Sequence, residues 1–223
     1  LKVWLKHVAQ VRQHRPHFRT PRLRTMTMIR ILASVMIWSR MVGQLIAQCD
    51  FATEGGLDLT LTSNDLRGFA DGFSDGAHGY VVPHFNGARF GKVARFDLAS
   101  FGNVAVLDLT LTDPDLKGFG GGFSNGAHGY VVPYYSNGAY SGKVARFELA
   151  SFGNVTVLDL TLTDPDLKGF RGGFSDGTHG YVVPETNGKV ARFDLVSFGN
   201  VTVLDLTHTS SDLKGFAGGF SDG

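Results

Sequence analysis

A thirteen-residue string occurs four times in this chain with small changes. LDLTLTSNDLRGF starts at Leu57, LDLTLTDPDLKGF at Leu107 and again at Leu158, and LDLTHTSSDLKGF at Leu204. The spacings are 50, 51 and 46 residues. Inside each unit the order is fixed: GF-x-x-GFS-[DN]-G, then HGYVVP, a variable loop, GKVARF-[DE]-L, and SFGNV. Three copies run complete, and a fourth begins before Gly223. A repeat of this period means that one supersecondary unit is stacked on its neighbours, so the choice of fold narrows to solenoids, propellers and arrays.

Each unit reads as four short strands. Leu66–Phe73 is followed by Ser74-Asp75-Gly76, and Asp-Gly is a hairpin-turn signal because glycine accepts positive φ. Ala77–Val82 is the second strand, and Asn86-Gly87 marks a further turn. Lys92–Leu98 alternates, with Ala94, Phe96 and Leu98 on one face and Val93, Arg95 and Asp97 on the other. Asn103–Leu111 alternates too, placing Leu107, Leu109 and Leu111 together. No segment beyond residue 50 has a helical period.

These features predict an all-β fold: a β-propeller fragment of three full four-stranded antiparallel blades with partial flanking blades. A β-solenoid is the alternative, but its coils are usually shorter. Gly72, Gly122, Gly173 and Gly219 fall in the expected innermost strands, where neighbouring blades would crowd a side chain. One outer strand (Gly56–Thr62) precedes the three blades and one innermost strand (Leu213–Phe220) follows them. Propellers have roughly 4–8 blades, so this chain alone is not expected to close a ring. Two explanations stand open: a piece of a longer reading frame, or closure by self-association through the open blade edges.

GGFSDGTHGYVVP, then GKVARFDL, then VTVLDL, resembles kelch-type and NHL-type propeller repeats. The resemblance covers residues 57–223 and implies the blade architecture only. It departs from kelch in lacking the outer-strand Trp, whose neighbourhood holds Phe101, Phe152 and Phe198. The Gly pairs (Gly121-Gly122, Gly172-Gly173) also precede the hairpin instead of closing its second strand.

Composition divides the chain near residue 50. Residues 1–50 hold both Trp, all four Met, the only Cys, and nine of the 21 Lys+Arg against one acid, Asp50. Residues 51–223 hold 29 of the 30 Gly, 17 of the 18 Phe, and an excess of acid. The expected domains are therefore a basic N-terminal segment, 1–50, and the propeller repeats, 51–223. From Met26 or Met28, Arg30 and the apolar Ile31–Trp38 outline a secretory signal peptide. That reading gives a secreted or membrane-associated protein. Arg40 interrupts the outline, and Ile31–Ala47 is short for a membrane span. Signal peptide, membrane anchor through residues 26–48, and amphipathic or leader segment all remain open. The basic residues 2–24 lack aromatic interleaving, so nucleic acid is not an expected partner.

Candidate chemistry is sparse. His78, His128 and His179 share one repeat position just after a turn, which suits bonding to that turn better than a metal site. Asp113-Pro-Asp115-Leu-Lys117-Gly118 and its copy from Asp164 resemble the opening of a calcium loop, but Lys stands where an oxygen donor is needed. They read as Asp-Pro turns. Arg95, Arg146 and Arg192 each precede an acid by two residues on one strand face, giving a repeated ion pair or a contact between blades. The lone Cys49 excludes a disulfide framework and a Cys-clustered zinc site. No nucleophile elbow, H-E-x-x-H or phosphate loop occurs, and no cofactor is expected.

One loop differs between copies. Between the second and third strands the units read PHFNGARFG, PYYSNGAYSG and PETNG. Strand parity puts this loop on the same face as the Asp-Pro-Asp loop. Phe85, Phe90, Tyr134, Tyr135 and Tyr140 are therefore the candidate ligand-binding residues, beside Asp113, Asp115 and Lys117. Aromatics next to charges suit protein or carbohydrate recognition. The function expected is a non-catalytic interaction module. The alternative is a piece of a propeller hydrolase or lyase whose active site lies in blades not present here.

Overall fold

Turn chemistry starts each blade. Asp75 Oδ1 accepts hydrogen bonds from the backbone N–H groups of Ala77 and His78 at 2.9 and 2.6 Å, and Gly76 stands at φ +92°, a region that favours glycine. The chain therefore reverses between β1 (Phe69–Ser74) and β2 (His78–Pro83). The structure, a computed structural model, describes residues 55–222.

The first blade is completed by β3 (Lys92–Asp97) and β4 (Gly102–Asp108). The second has β5 (Phe119–Ser124), β6 (His128–Pro133), a small hairpin β7 (Tyr135–Ser136) and β8 (Ala139–Tyr140), then β9 (Lys143–Glu148) and β10 (Gly153–Asp159). The third has β11 (Phe170–Ser175), β12 (His179–Pro184), β13 (Lys189–Asp194) and β14 (Gly199–Asp205). Each main sheet has four antiparallel strands in sequence order from inside to outside, with β7–β8 forming a separate pair. The fold is all-β and propeller-like, and the three blades do not close a ring. Among the described residues no helix is long and apolar enough to cross a membrane. The segments assigned to 1–50 and 26–48 lie outside the described residues.

Period-2 alternation buries both faces of the middle strands, each against a different neighbour. Tyr80, Val82 and Val93 of the first blade pack on Val131, Ala145 and Phe147 of the second. Tyr130, Val132 and Val144 of the second blade pack in the same way on Val182, Ala191 and Phe193 of the third. Burying each large side chain here contributes roughly 1.5–3 kcal/mol. The core therefore lies between blades.

The innermost strands approach backbone to backbone. A Cβ on Gly121 would fall 2.6 Å from Gly172 Cα, and a Cβ on Gly172 would fall 2.6 Å from Gly218 Cα. The crowding expected of the innermost glycines is present at Gly122, Gly173 and Gly219, whose Cβ atoms would press on Phe73, Phe123 and Phe174 of the preceding blade. At Gly72 the obstacle is instead the carbonyl of Tyr80 in its own blade.

Three strand assignments are corrected. The fourth strand stops at Asp108 rather than Leu111, because Asp108 Oδ1 accepts from Thr110 N–H at 3.0 Å and starts a 3-10 turn at Leu109–Leu111. Alternation then breaks: Leu109 is buried while Leu111 is exposed. Leu59–Leu61 forms the same turn, capped by Asp58, so Gly56–Thr62 is not an outer strand. Leu213–Phe220 is not a regular strand. It lies along the third blade through Gly215 N–H to Glu185 O, Phe216 N–H to Pro184 O and Gly218 N–H to Arg171 O.

Candidate functional site

The variable loops lie beside the Asp-Pro-Asp loops, as strand parity requires. Tyr135 N–H donates to Gly118 O at 2.9 Å, and Ser136 Oγ donates to Asp115 O at 2.9 Å. Asp113 Oδ1 accepts from Asp115 N–H at 2.9 Å, which is an Asx turn. Lys143 Nζ, at the start of β9, reaches Asp113 at 2.9 Å and Asp115 at 2.8 Å. Those carboxylates, Asp115 foremost, raise the Lys143 pKa. The cation that answers the acidic pair is thus Lys143, not the adjacent Lys117. Lys189 repeats the arrangement with Asp164 and Asp166 in the third blade.

The aromatic candidates divide. Tyr135 and Tyr140 face each other across the β7–β8 pair, with rings 5.5 Å apart and nearly perpendicular. Tyr134 completes the group, 5.6 Å edge-to-face from Tyr140 and 6.4 Å from Tyr135. Phe85 is half exposed on the first blade. Phe90 turns away and packs edge-to-face on Phe69 of its own blade, 5.6 Å between centroids. Phe90 therefore stands apart from the cluster.

Arg89 joins the two blades, and sequence reasoning did not single it out. Its guanidinium lies 5.4 Å from the Phe85 ring, 5.8 Å from Tyr134 and 5.1 Å from Tyr135. His84 is a second addition. Its Nδ1 is 2.7 Å from the Phe119 carbonyl, so that nitrogen carries the hydrogen. Nε2 then accepts from Arg89 Nη1 at 2.8 Å. Burial, aided by the Arg89 charge, lowers the His84 pKa against the opposing pull of the Phe119 carbonyl. Glu185 is a third addition, held by Arg171 at 2.9 Å. Burial and the Glu185 carboxylate push the Tyr134 hydroxyl up to about 12. His84, Tyr134 and Glu185 occupy one repeat position, directly after HGYVVP. Three unlike residues at that position were the available signal.

Beside Tyr140 a cleft of about 240 Å³ opens between Asp115, Asn137, Lys143 and Thr161. An amphipathic platform next to a polar cleft offers apolar contact, charge and hydrogen bonds.

The other candidates have structural places. The ring of His78 meets Asp75 at 3.2 Å, and His179 meets Asp176 at 3.5 Å. Their backbone N–H groups also bind those carboxylates. Among the described residues, no three His, Cys, Asp or Glu side chains are grouped to hold a metal ion. Arg95 and Arg146 form contacts between blades rather than ion pairs along their strands. Arg95 lies 4.5 Å over Phe152 and bonds to Leu149 O, and Arg146 lies 4.4 Å over Phe198 and bonds to Leu195 O.

No family model matches the chain, and no curated protein sequence matches it. Solved structures that match the chain in part include the hemopexin-fold protein CP4 from cow pea, at 13% identity and a TM-score of 0.36, over 68% of this chain and 76% of that one. A plant lectin with two metal-binding sites from Cicer arietinum is 14% identical, with a TM-score of 0.36 over 69% and 78% of the two chains. A Cicer arietinum albumin showing hemagglutination is 14% identical, with a TM-score of 0.35 over 70% and 78%. None of these three is a kelch or NHL protein.

Proposed function

We propose that this chain is a non-catalytic interaction module that binds a protein or a glycan through its variable-loop rim. The blades repeat closely, and the segment that differs most in length and residues is the loop between the second and third strands. The observation that carries the reading is Arg89 of the first blade spanning Tyr134 and Tyr135 of the second. A loop that only joined two strands would need neither the Arg nor the Tyr residues, as the short third copy, Pro184–Gly188, demonstrates. Tyr rings supply contact area at small entropic cost, and the cleft beside Tyr140 supplies carboxylate, amide and ammonium groups for hydroxyls or peptide groups.

The test is a glycan panel and a peptide panel probed with the immobilised full chain, followed by Tyr134→Ala with Tyr135→Ala. Affinity for whichever probe binds is expected to fall by about 2 kcal/mol or more, roughly 30-fold, with melting unchanged. Undiminished binding by a folded double variant removes this rim as the site. Binding lost together with the fold makes these tyrosines packing residues only.

A further inference from the structure

The blade interface is built twice from the same parts, and both of its halves are exposed. On the receiving side, Phe73 stacks on Tyr80 at 4.9 Å, Phe123 on Tyr130 at 4.9 Å, and Phe174 on Tyr181 at 4.9 Å. On the entering side, Phe96 meets Phe101 at 5.9 Å, Phe147 meets Phe152 at 5.8 Å, and Phe193 meets Phe198 at 5.7 Å, all close to perpendicular. Entering Phe pairs fill the first two receiving sides. The third receiving side is open. Phe174, Tyr181, Val190, Arg192 and Leu204 line a cleft of about 450 Å³ there. Among the described residues nothing fills the first blade's entering side either: Phe101 is 52% exposed and Leu98 43%, against 9% for Phe198 and 4–5% for Leu149 and Leu195.

We propose that a second copy of this chain docks its first blade onto the third blade of another, head to tail. The two exposed faces are the two halves of an interface the molecule already forms internally. Phe101 then lies under Arg192 as Phe152 lies under Arg95, and Leu98 O accepts from Arg192 as Leu149 O accepts from Arg95.

One segment stands in the way and is readily replaced. Leu213–Ser221 of the receiving copy occupies the place of the next blade's innermost strand. It is held by three backbone hydrogen bonds and by Ser221 Oγ to Ser175 O, and Phe220 is exposed. The incoming Leu66–Ser74 reads LRGFADGFS against LKGFAGGFS, identical at seven of nine positions. Of the two differences, Lys214 becomes Arg67, and Gly218 becomes Asp71; an added Cβ there meets nothing within 4 Å, but Gly218 stands at φ +81°, so the incoming strand keeps the backbone of β1 instead of copying that of the displaced segment. The strand is exchanged for nearly its own sequence while β2 and β3 bring new buried surface. A head-to-tail contact between identical chains is heterologous and can extend.

Light scattering on the full chain is expected to give a mass that rises with concentration beyond one chain. Phe101→Asp breaks the entering face and Leu204→Asp the receiving face, so each variant alone is expected to stay monomeric. Each keeps one intact face, so an equimolar mixture is expected to reach the two-chain mass and stop. If circular dichroism shows either variant unfolded, Leu98→Glu and Val203→Glu replace them. A wild-type chain that is monomeric throughout, variants that associate like wild type, or a mixture that stays monomeric overturns the proposal.

Discussion

Replacing Gly173 by Ala tests the blade interface where it is tightest. Gly173 lies in β11, and a Cβ there would fall 2.6 Å from the Tyr181 carbonyl oxygen and 3.0 Å from two ring carbons of Phe123 in the second blade. The oxygen belongs to the paired strand β12, so it cannot move without opening the ladder. The Phe123 ring is stacked on Tyr130, which is itself wedged against Phe193 and Phe198. Overpacking of this kind costs roughly 1–3 kcal/mol. Ala recovers about 0.4–1 kcal/mol by restricting the unfolded chain. The net loss is about 1–2 kcal/mol, or roughly 2–8 °C in melting temperature for a domain of this size. Gly153→Ala is the control, because its Cβ would find its nearest neighbour at an ordinary 3.8 Å. Thermal melts followed in the far-ultraviolet strand band compare the two. Gly173→Ala melting at or above Gly153→Ala would refute the packing of β11 against the second blade.

The two interface arginines give an internal comparison. Arg146→Ala removes a ring contact and a carbonyl bond across blades and is expected to cost about 1–2 kcal/mol, whereas Arg192→Ala, with an open face before it, is expected to leave the unfolding of dilute monomer unchanged; equal losses in denaturant titrations would contradict this. The turn carboxylates predict acid sensitivity. Burial would raise the Asp75 carboxyl, but hydrogen bonds from His78, Tyr80 and Ala77 outweigh it and hold the group well below the usual range. His179, Tyr181 and Thr178 lower Asp176 likewise. A lowered carboxyl contributes stability above its unfolded pKa of about 3.9 and loses it as pH falls toward the folded value. Asp75→Asn with Asp176→Asn is therefore expected to lose less melting temperature between pH 7 and about pH 3 than wild type. Asn125 already fills this turn in the second blade, with its Oδ1 accepting from Ala127 and His128 N–H at 3.1 and 2.8 Å, so the substitution keeps the turn. An unchanged or steeper acid dependence would count against the assignment.

Much of the blade was legible because its signals are local. Asp-Gly fixes the hairpin after β1, and strict alternation in KVARFD fixes β3, so these elements fall where the residues place them. The fourth strand ran too long on paper because Leu109 and Leu111 continue the alternation. What ends the strand is a side-chain bond from Asp108 to the next turn, which period-2 reasoning does not see. The site was half legible. Strand parity put the Tyr-rich loop beside Asp113 and Asp115, but parity within a blade says nothing about which residues meet across blades. Arg89 reaches Tyr134 and Tyr135 only through the rotation between neighbouring sheets. Phe90 shared the composition of its neighbours and still turned inward, because Phe69 offered it an edge within its own blade.

The central claim is that repeated blades bring unlike loop residues into one patch across their boundary. Aromatic and side-chain nuclear Overhauser effects on the selectively labelled chain read that boundary directly. The account predicts cross-peaks between the rings of His84 and Tyr134, which lie 5.7 Å apart, and between the Arg89 side chain and Tyr135. It also predicts them between Tyr80 and Phe152 beneath, at 5.9 Å. Cross-peaks confined to pairs within single blades, such as Phe69 with Phe90, would contradict it.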